Sequence, residues 1–216
     1  MITVTAFKQV PPFARGLVRD LRVRWALEEA GLPYEARLLA DGEKESPDYQ
    51  AWQPFGQVPA YEESSQSGRP LRLFESGAIV LHVAERSRAL LPCEAEPRAR
   101  AIQWLFAALN SIEPHVQNLA AIDLFHAREE WARLRRPGAE EMVERRLAAL
   151  AAALGGKDWL SDDRFTVGDL MMATVLRILR HTDLVAQASL ADYLARCEAR
   201  PAFERALAAQ MAPFES

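Results

Sequence analysis

Apolar and polar residues alternate at Ile2-Thr3-Val4-Thr5-Ala6-Phe7, which predicts a strand at the start of the chain. Between Leu21 and Ala30 the period changes to that of a helix, with Val23, Ala26, Leu27 and Ala30 on one face and Gly31 placed to end it. Tyr34 to Leu39 reads as a second strand. Ser46-Pro47 opens a short helix carrying Tyr49 and Trp52. Val58 to Glu62 and Leu71 to Phe74 are further strands, and the turn-rich segment 64–70 between them predicts a hairpin. Ser76 to Ser87 is helical, with Ile79, Val80 and Val83 apolar on one face. This βαβ-α-ββα order implies a small mixed sheet of about four strands flanked by helices.

The texture changes at Leu91-Pro92-Cys93-Glu94-Ala95-Glu96-Pro97, and beyond it every periodic segment is helical. Arg98 to about Leu134 predicts a long helical stretch bent or interrupted at Pro114. Pro137-Gly138 is expected to break the chain before a helix from Glu140 to Leu154, which Gly155-Gly156 ends. Thr166 to Arg180, Leu190 to Ala199 and Pro201 to Met211 complete the set. In Phe165-Thr166-Val167-Gly168-Asp169-Leu170, Thr166 caps a helix, Asp169 reaches back to its N–H, and Phe165 and Leu170 stand at staple positions. We expect an α/β N-terminal domain over 1–87, a linker over 88–97 and an all-α domain over 98–216.

Composition narrows the classes. The chain has 216 residues, half of them hydrophobic and about a quarter charged, as in a soluble globular protein. A net charge of −4 supplies no field for nucleic acid or for an anionic membrane. No apolar run approaches the ~18 residues of a membrane span, and the alternating N-terminus does not read as a signal peptide. Two cysteines, Cys93 and Cys197, make no disulfide framework, so a reduced, cytoplasmic setting is expected. The four histidines are scattered without ligand spacing, and no metal is expected.

Two short stretches carry candidate chemistry. In Gln57-Val58-Pro59-Ala60-Tyr61 the X-Pro bond has two readings. One is an ordinary trans Pro at a strand start, since roughly 5–6 % of such bonds are cis. The other is a cis bond that turns the Val58 N–H and C=O outward, free to pair with a peptide as an added strand. In Phe74-Glu75-Ser76-Gly77-Ala78-Ile79 a helix begins just past a strand. Either Ser76 only caps that helix and Glu75 suits its dipole, or the helix N-terminus and the Ser76 hydroxyl receive a ligand carboxylate while Glu75 receives an ammonium.

These motifs, with Arg22-Val23-Arg24-Trp25-Ala26-Leu27-Glu28-Glu29, the Phe165–Asp169 motif and Arg200-Pro201-Ala202-Phe203, recur in this order along nearly the whole chain, which resembles the glutathione S-transferases of the bacterial cytosolic type. The resemblance implies a thioredoxin-like N-terminal domain, a C-terminal helical bundle and a homodimer. It implies that Pro59 is cis and that Val58 binds the cysteinyl main chain of glutathione. Glu75 and Ser76 then bind the γ-glutamyl end, and Gln57 helps to hold the peptide. Lys44 or Trp52 is implied at the glycine end.

The resemblance has one departure. Such enzymes place a Ser, Tyr or Cys after the first strand to serve the glutathione sulfur, and the segment Lys8 to Asp20 contains none. A free thiol with a pKa near 8.5 is only a few per cent ionised at neutral pH. The remaining devices are a cation, Arg19 or Arg15, and backbone N–H groups at the first helix; Arg19 falls in the aligned window and is our candidate catalytic residue. No Cys precedes position 93, so a mixed disulfide through a first-helix Cys is excluded.

The expected activity is conjugation of the glutathione thiolate to small hydrophobic electrophiles, a detoxification chemistry. A non-catalytic glutathione-binding or regulatory protein and a glutathione-dependent peroxidase remain as alternatives. The acceptor pocket is expected between the domains, with Phe13, Trp104, Phe106 and Asn110 as candidates that also suit a core.

Overall fold

The computed structural model describes residues 1–64, 68–161 and 164–215. The predicted hairpin turn at 64–70 falls in part outside the described residues. The N-terminal elements are β1 (Ile2–Phe7), α1 (Asp20–Ala30), β2 (Glu35–Leu39), α2 (Pro47–Gln50), β3 (Ala60–Glu63), β4 (Leu71–Phe74) and α3 (Ser76–Glu85). They build one four-stranded sheet in the order β2-β1-β3-β4, with β1 parallel to β2 and antiparallel to β3, and β3 antiparallel to β4. The central β1 is buried at Ile2, Val4, Thr5 and Ala6, so both of its faces are covered.

Helix α1 is buried at every position from Asp20 to Leu27. Its C-terminus closes in a Schellman motif, with Gly31 at φ 64°, its N–H on Glu28 O, and Leu32 N–H on Leu27 O. At α2, the Ser46 Oγ accepts the Tyr49 N–H at 3.2 Å and Pro47 takes the first turn, as the sequence predicts.

The later elements are α4 (Ala95–Ala107), a π-helical turn (Ala108–Ile112), α5 (Glu113–Leu124), α6 (Glu130–Leu154), α7 (Val167–Leu176), α8 (Leu184–Gln187), α9 (Ala191–Glu198) and α10 (Pro201–Met211). The chain packs as two compact units, 1–91 with 200–216, and 92–199. The sequence reading groups 98–216 together, whereas α10 packs along α1 in the first unit. The reason is local: Arg200 forks onto Glu29 at 2.6 and 2.7 Å, and Phe203 meets Trp25 edge-on with ring centroids 4.8 Å apart.

Two helix boundaries differ from expectation. The stretch predicted from 98 to 134 divides: a π turn sits immediately before Pro114, where a wider turn accommodates the missing N–H, and the chain breaks again between Leu124 and Glu130. Pro137-Gly138 does not break α6. Pro137 and Arg133 lie on the exposed side, so the carbonyl that Pro137 frees meets water, while Ala132, Ala139, Val143, Leu147, Leu150 and Leu154 keep one buried stripe. Helix α7 is buried along its whole length and forms the centre of the second unit. Among the described residues no helix is long and apolar enough to cross a membrane.

Candidate functional site

Ala60 pairs with Phe74 across the β3–β4 hairpin, so the segment entering β3 and the segment leaving β4 lie at the same end of it. Phe7 pairs with Leu39 at the ends of the parallel strands, and Val4 pairs with Tyr61, which brings the C-terminus of β1 to that end as well. Strand ends and the start of α3 therefore converge along one edge of the sheet, the arrangement in which α/β folds usually hold ligands.

The Val58–Pro59 bond is cis. Val58 precedes the first ladder residue, Ala60, so the strand starts two residues later than its sequence pattern predicts. Among the described residues, neither the Val58 N–H nor its C=O has a hydrogen-bond partner within the protein. The Val58 side chain is buried with Leu39, Tyr49 and Ala60, and Phe7, Val18 and Trp52 pack against that group. Gly56 closes the turn ahead of Gln57 at φ 61°, where an added Cβ would stand 3.1 Å from the Lys44 carbonyl. Gln57 itself is exposed, and its carbonyl accepts the Tyr49 hydroxyl at 2.6 Å.

Glu75 is exposed at the N-terminus of α3, with φ 69° and ψ 112°. A non-glycine residue held there stores about 1–3 kcal/mol of strain, of a kind that concentrates at ligand sites. No side chain caps α3, and its first internal bond is Ile79 N–H to Glu75 O. The N–H groups before Ile79 thus have no acceptor within the helix. Ser76 is buried, and its Oγ accepts the Arg22 Nη1 at 3.1 Å, which leaves the hydroxyl proton free to donate. Arg22 is only 3 % exposed, so a guanidinium lies beneath the start of α3 and adds to the positive end of its dipole.

The Arg22 bond ties the first turn of α1 to the first turn of α3. Arg19 is the half-buried N-cap residue of α1, with helical backbone angles, three positions ahead of Arg22 and so on the same face. The neighbouring Val18 carbonyl accepts Gln210 Nε2 at 3.1 Å, and the same nitrogen reaches the Asp20 carboxylate at 2.7 Å. Arg24 Nε holds the other Asp20 oxygen at 2.7 Å. Burial pushes the Asp20 carboxyl upward, against the pull of Arg24. Arg15 stacks over Phe214 at 5.5 Å. Lys44 pairs with Glu45 at 3.3 Å, and the half-buried Trp52 ring has the guanidiniums of Arg37 and Arg72 over it, 5.1 and 4.4 Å from its centroid.

Gln57, Val58, Glu75 and Ser76 are thus gathered along one edge. The sequence names Arg22 in a motif and Tyr49 on the short helix but gives none of Thr5, Arg22 and Tyr49 the bracing role they have at that edge. The one signal for Thr5 was a hydroxyl in the strand that becomes the centre of the sheet. Among the acceptor-pocket candidates, Phe106 and Asn110 are exposed, whereas the Trp104 Cβ closes against Gly168 of α7 as a packing contact. A surface pocket of about 580 Å³ lies on the first unit between Arg24, Glu28, Tyr34 and Arg205, apart from this edge. Among the described residues no group of three or more His, Cys, Asp or Glu is disposed to hold a metal ion.

Comparison with known proteins agrees with this architecture. The chain is 28 % identical to the disulfide-bond oxidoreductase YfcG of Escherichia coli, over 84 % of this chain and 86 % of that protein. It is 30 % identical to glutathione S-transferase F10 of Arabidopsis thaliana, over 67 % of this chain and 68 % of that protein. The structure of a glutathione transferase family member from Pseudomonas fluorescens, with two glutathione bound, superposes with a TM-score of 0.81 at 27 % identity, covering 95 % of this chain and 92 % of that one. The family models for the glutathione S-transferase N-terminal and C-terminal domains match residues 14–85 and 135–209, and the chain belongs to the glutathione S-transferase family.

Proposed function

We propose that the chain is a glutathione transferase that binds glutathione along the Val58–Ser76 edge and adds its thiolate to small hydrophobic electrophiles. The observation that carries this reading is the open main chain of Val58 beside the uncapped start of α3. A γ-linked tripeptide offers a main-chain donor and acceptor for Val58, a carboxylate for the Ser76 hydroxyl and the α3 N–H groups, and an ammonium for Glu75. Gln57 flanks the same strand. A homodimer and a reducing, cytoplasmic setting belong to the same reading.

Conjugation forms a C–S bond as the electrophile's leaving group departs with the bonding pair, so the protein's task is to orient the peptide and favour the thiolate. Arg19, at the N-cap of α1 next to Val18, which packs against the Val58 group, is the residue we assign to the sulfur. Replacing a cation beside a thiol raises the thiol pKa, by about one unit at a half-buried site. Arg19→Ala should shift the pH titration of thiolate absorbance in the glutathione complex upward by that amount. An unmoved titration would remove Arg19 from the role.

A second reading, disulfide exchange, is favoured by the likeness to YfcG and by the two glutathione molecules in the Pseudomonas structure. One glutathione thiolate attacks a disulfide sulfur and expels a thiolate, and a second glutathione attacks the mixed disulfide to release glutathione disulfide and the other thiol. The nucleophile is then the bound peptide, so the missing first-loop Cys is no obstacle. Calorimetric titration with glutathione, followed by parallel assays on an activated aryl halide and a small organic disulfide, separates the readings. Absence of glutathione binding would overturn both. Turnover of the disulfide alone would replace the first with the second, and binding without either turnover would leave a non-catalytic binding protein.

A further inference from the structure

We propose that Thr5 and Tyr49 are positioning residues, which hold the Val58 main chain in the attitude that receives a peptide. The inference rests on the glutathione-binding reading above and deepens it. The Ala60 N–H donates to Thr5 Oγ1 at 2.7 Å, the Thr5 and Tyr49 hydroxyls are 2.9 Å apart, and the Tyr49 hydroxyl donates to the Gln57 carbonyl at 2.6 Å. Each hydroxyl carries one proton. Tyr49 gives its proton to Gln57, so Thr5 must give its own to Tyr49. The alternative acceptor for Thr5, the Ala60 carbonyl, is 3.4 Å away and weaker. One directed chain therefore runs from Ala60 N–H through Thr5 and Tyr49 to the Gln57 carbonyl. It clamps the backbone on both sides of Val58-Pro59 and leaves the Val58 N–H and C=O free.

Packing does not require these hydroxyls. Thr5 and Tyr49 are both 0 % exposed, and Val and Phe would fill the same volume but leave the buried Ala60 N–H without its acceptor. Among the described residues the two hydroxyls bond each other and the 57–60 main chain, so what they add beyond packing is direction on that segment. Burial also pushes the Tyr49 phenol above its ordinary value, and the proton order of the chain persists across the neutral range. Thr5 lies on β1 and Tyr49 on α2, so the clamp ties the segment to two elements that precede it.

The test uses the full chain and glutathione itself. Affinity is measured by calorimetry, and the amide signal of Val58 is followed by ¹⁵N-resolved NMR during the titration. Tyr49→Phe and Thr5→Val should each weaken glutathione binding by about five- to tenfold, the equivalent of one hydrogen bond. The double variant should be little worse than either single, because the chain acts as a unit. Thr5→Ser keeps the hydroxyl and should stay within about twofold of the parent. Arg200→Ala, which destabilises the same unit away from this segment, should lower the melting temperature without changing affinity. If Tyr49→Phe and Thr5→Val bind glutathione as the parent does while melting earlier, or if Arg200→Ala loses as much affinity as they do, the positioning role is overturned and the binding reading stands. If the Val58 amide of the parent does not respond to glutathione, the binding reading falls and this inference falls with it.

Discussion

Asp169→Asn is the sharpest test of how the second unit is held. Asp169 is fully buried, and its carboxylate takes four donors. Oδ1 accepts Leu160 N–H at 2.9 Å and Tyr193 O–H at 3.0 Å; Oδ2 accepts Thr166 N–H at 2.9 Å and Thr166 O–H at 3.1 Å. Asparagine keeps the shape but has one acceptor oxygen. Whichever way it turns, its NH₂ faces either the Leu160 N–H or the Thr166 N–H and leaves that buried donor unpaired, at about 1–3 kcal/mol. The hydroxyl on the same side also loses its acceptor, for about 1 kcal/mol more. Against this, the amide avoids the desolvation that pushes the Asp169 carboxyl upward. The net expectation is a loss of about 2–3 kcal/mol, and for Asp169→Ala, which drops all four bonds, about 4 kcal/mol. Urea unfolding of the full chain, followed by tryptophan fluorescence, measures both. An Asn variant within about 0.5 kcal/mol of the parent would show that the second acceptor oxygen contributes nothing, and the argument would fail.

Two further outcomes follow from the first unit. Arg200→Ala removes both arms of the fork on Glu29, whose side chain is 7 % exposed, while the Trp25 indole N–H still donates to it at 3.0 Å. With Arg200 itself about a third exposed, a loss of about 1–2 kcal/mol is expected, and Arg200→Lys should recover less than half because it lacks the planar fork. Thermal melts of the three proteins check this. Burial raises the Glu63 carboxyl, but His82, Tyr61 and Arg86 together bring it below its ordinary 4.5. The native state then binds fewer protons than the unfolded chain, so the contribution of Glu63 is complete above pH 4.5 and is lost as pH falls through the lower native value. Urea unfolding between about pH 3 and 7 should show a shallower acid limb for Glu63→Gln, and identical slopes would refute the assignment.

What could be read from the chain was whatever its neighbours in sequence decide. Strand β1 follows from alternation, the end of α1 from Gly31, and the cap of α7 from Thr166 and Asp169, three residues apart. The same Asp169 also accepts from Leu160 and Tyr193, 9 and 24 positions away, and no local pattern announces that. Val58-Pro59 was legible as a motif. Its braces were not, because Thr5 stands 55 residues from Ala60, and Arg22 stands 54 from Ser76. Pro137 misled for the opposite reason. A local rule predicts a break, but the buried stripe from Ala132 to Leu154 continues past it. Helix α8, four residues long, is too short to show a period.

The division between legible and hidden residues bears on the thiol. In the proposed reading, the groups that meet the peptide at the edge beside α3 are largely main chain: the N–H and C=O of Val58 and the first N–H groups of α3. Such groups survive wide sequence change, provided the backbone is held in place by a few buried contacts such as Arg22 on Ser76 and Tyr49 on Gln57. Recognition through such groups asks for few particular side chains, so in the proposed reading it places little demand on sequence identity. With no hydroxyl or thiol between Lys8 and Asp20, what remains near the start of α1 is a cation and more main-chain N–H, both of which stabilise a thiolate without being a nucleophile or a base. In the proposed reading the first loop sets how acidic the bound thiol becomes, and the Val58–Ser76 edge sets whether the peptide binds. Substitutions at the two places should therefore separate cleanly, the first moving the thiol titration and the second the affinity.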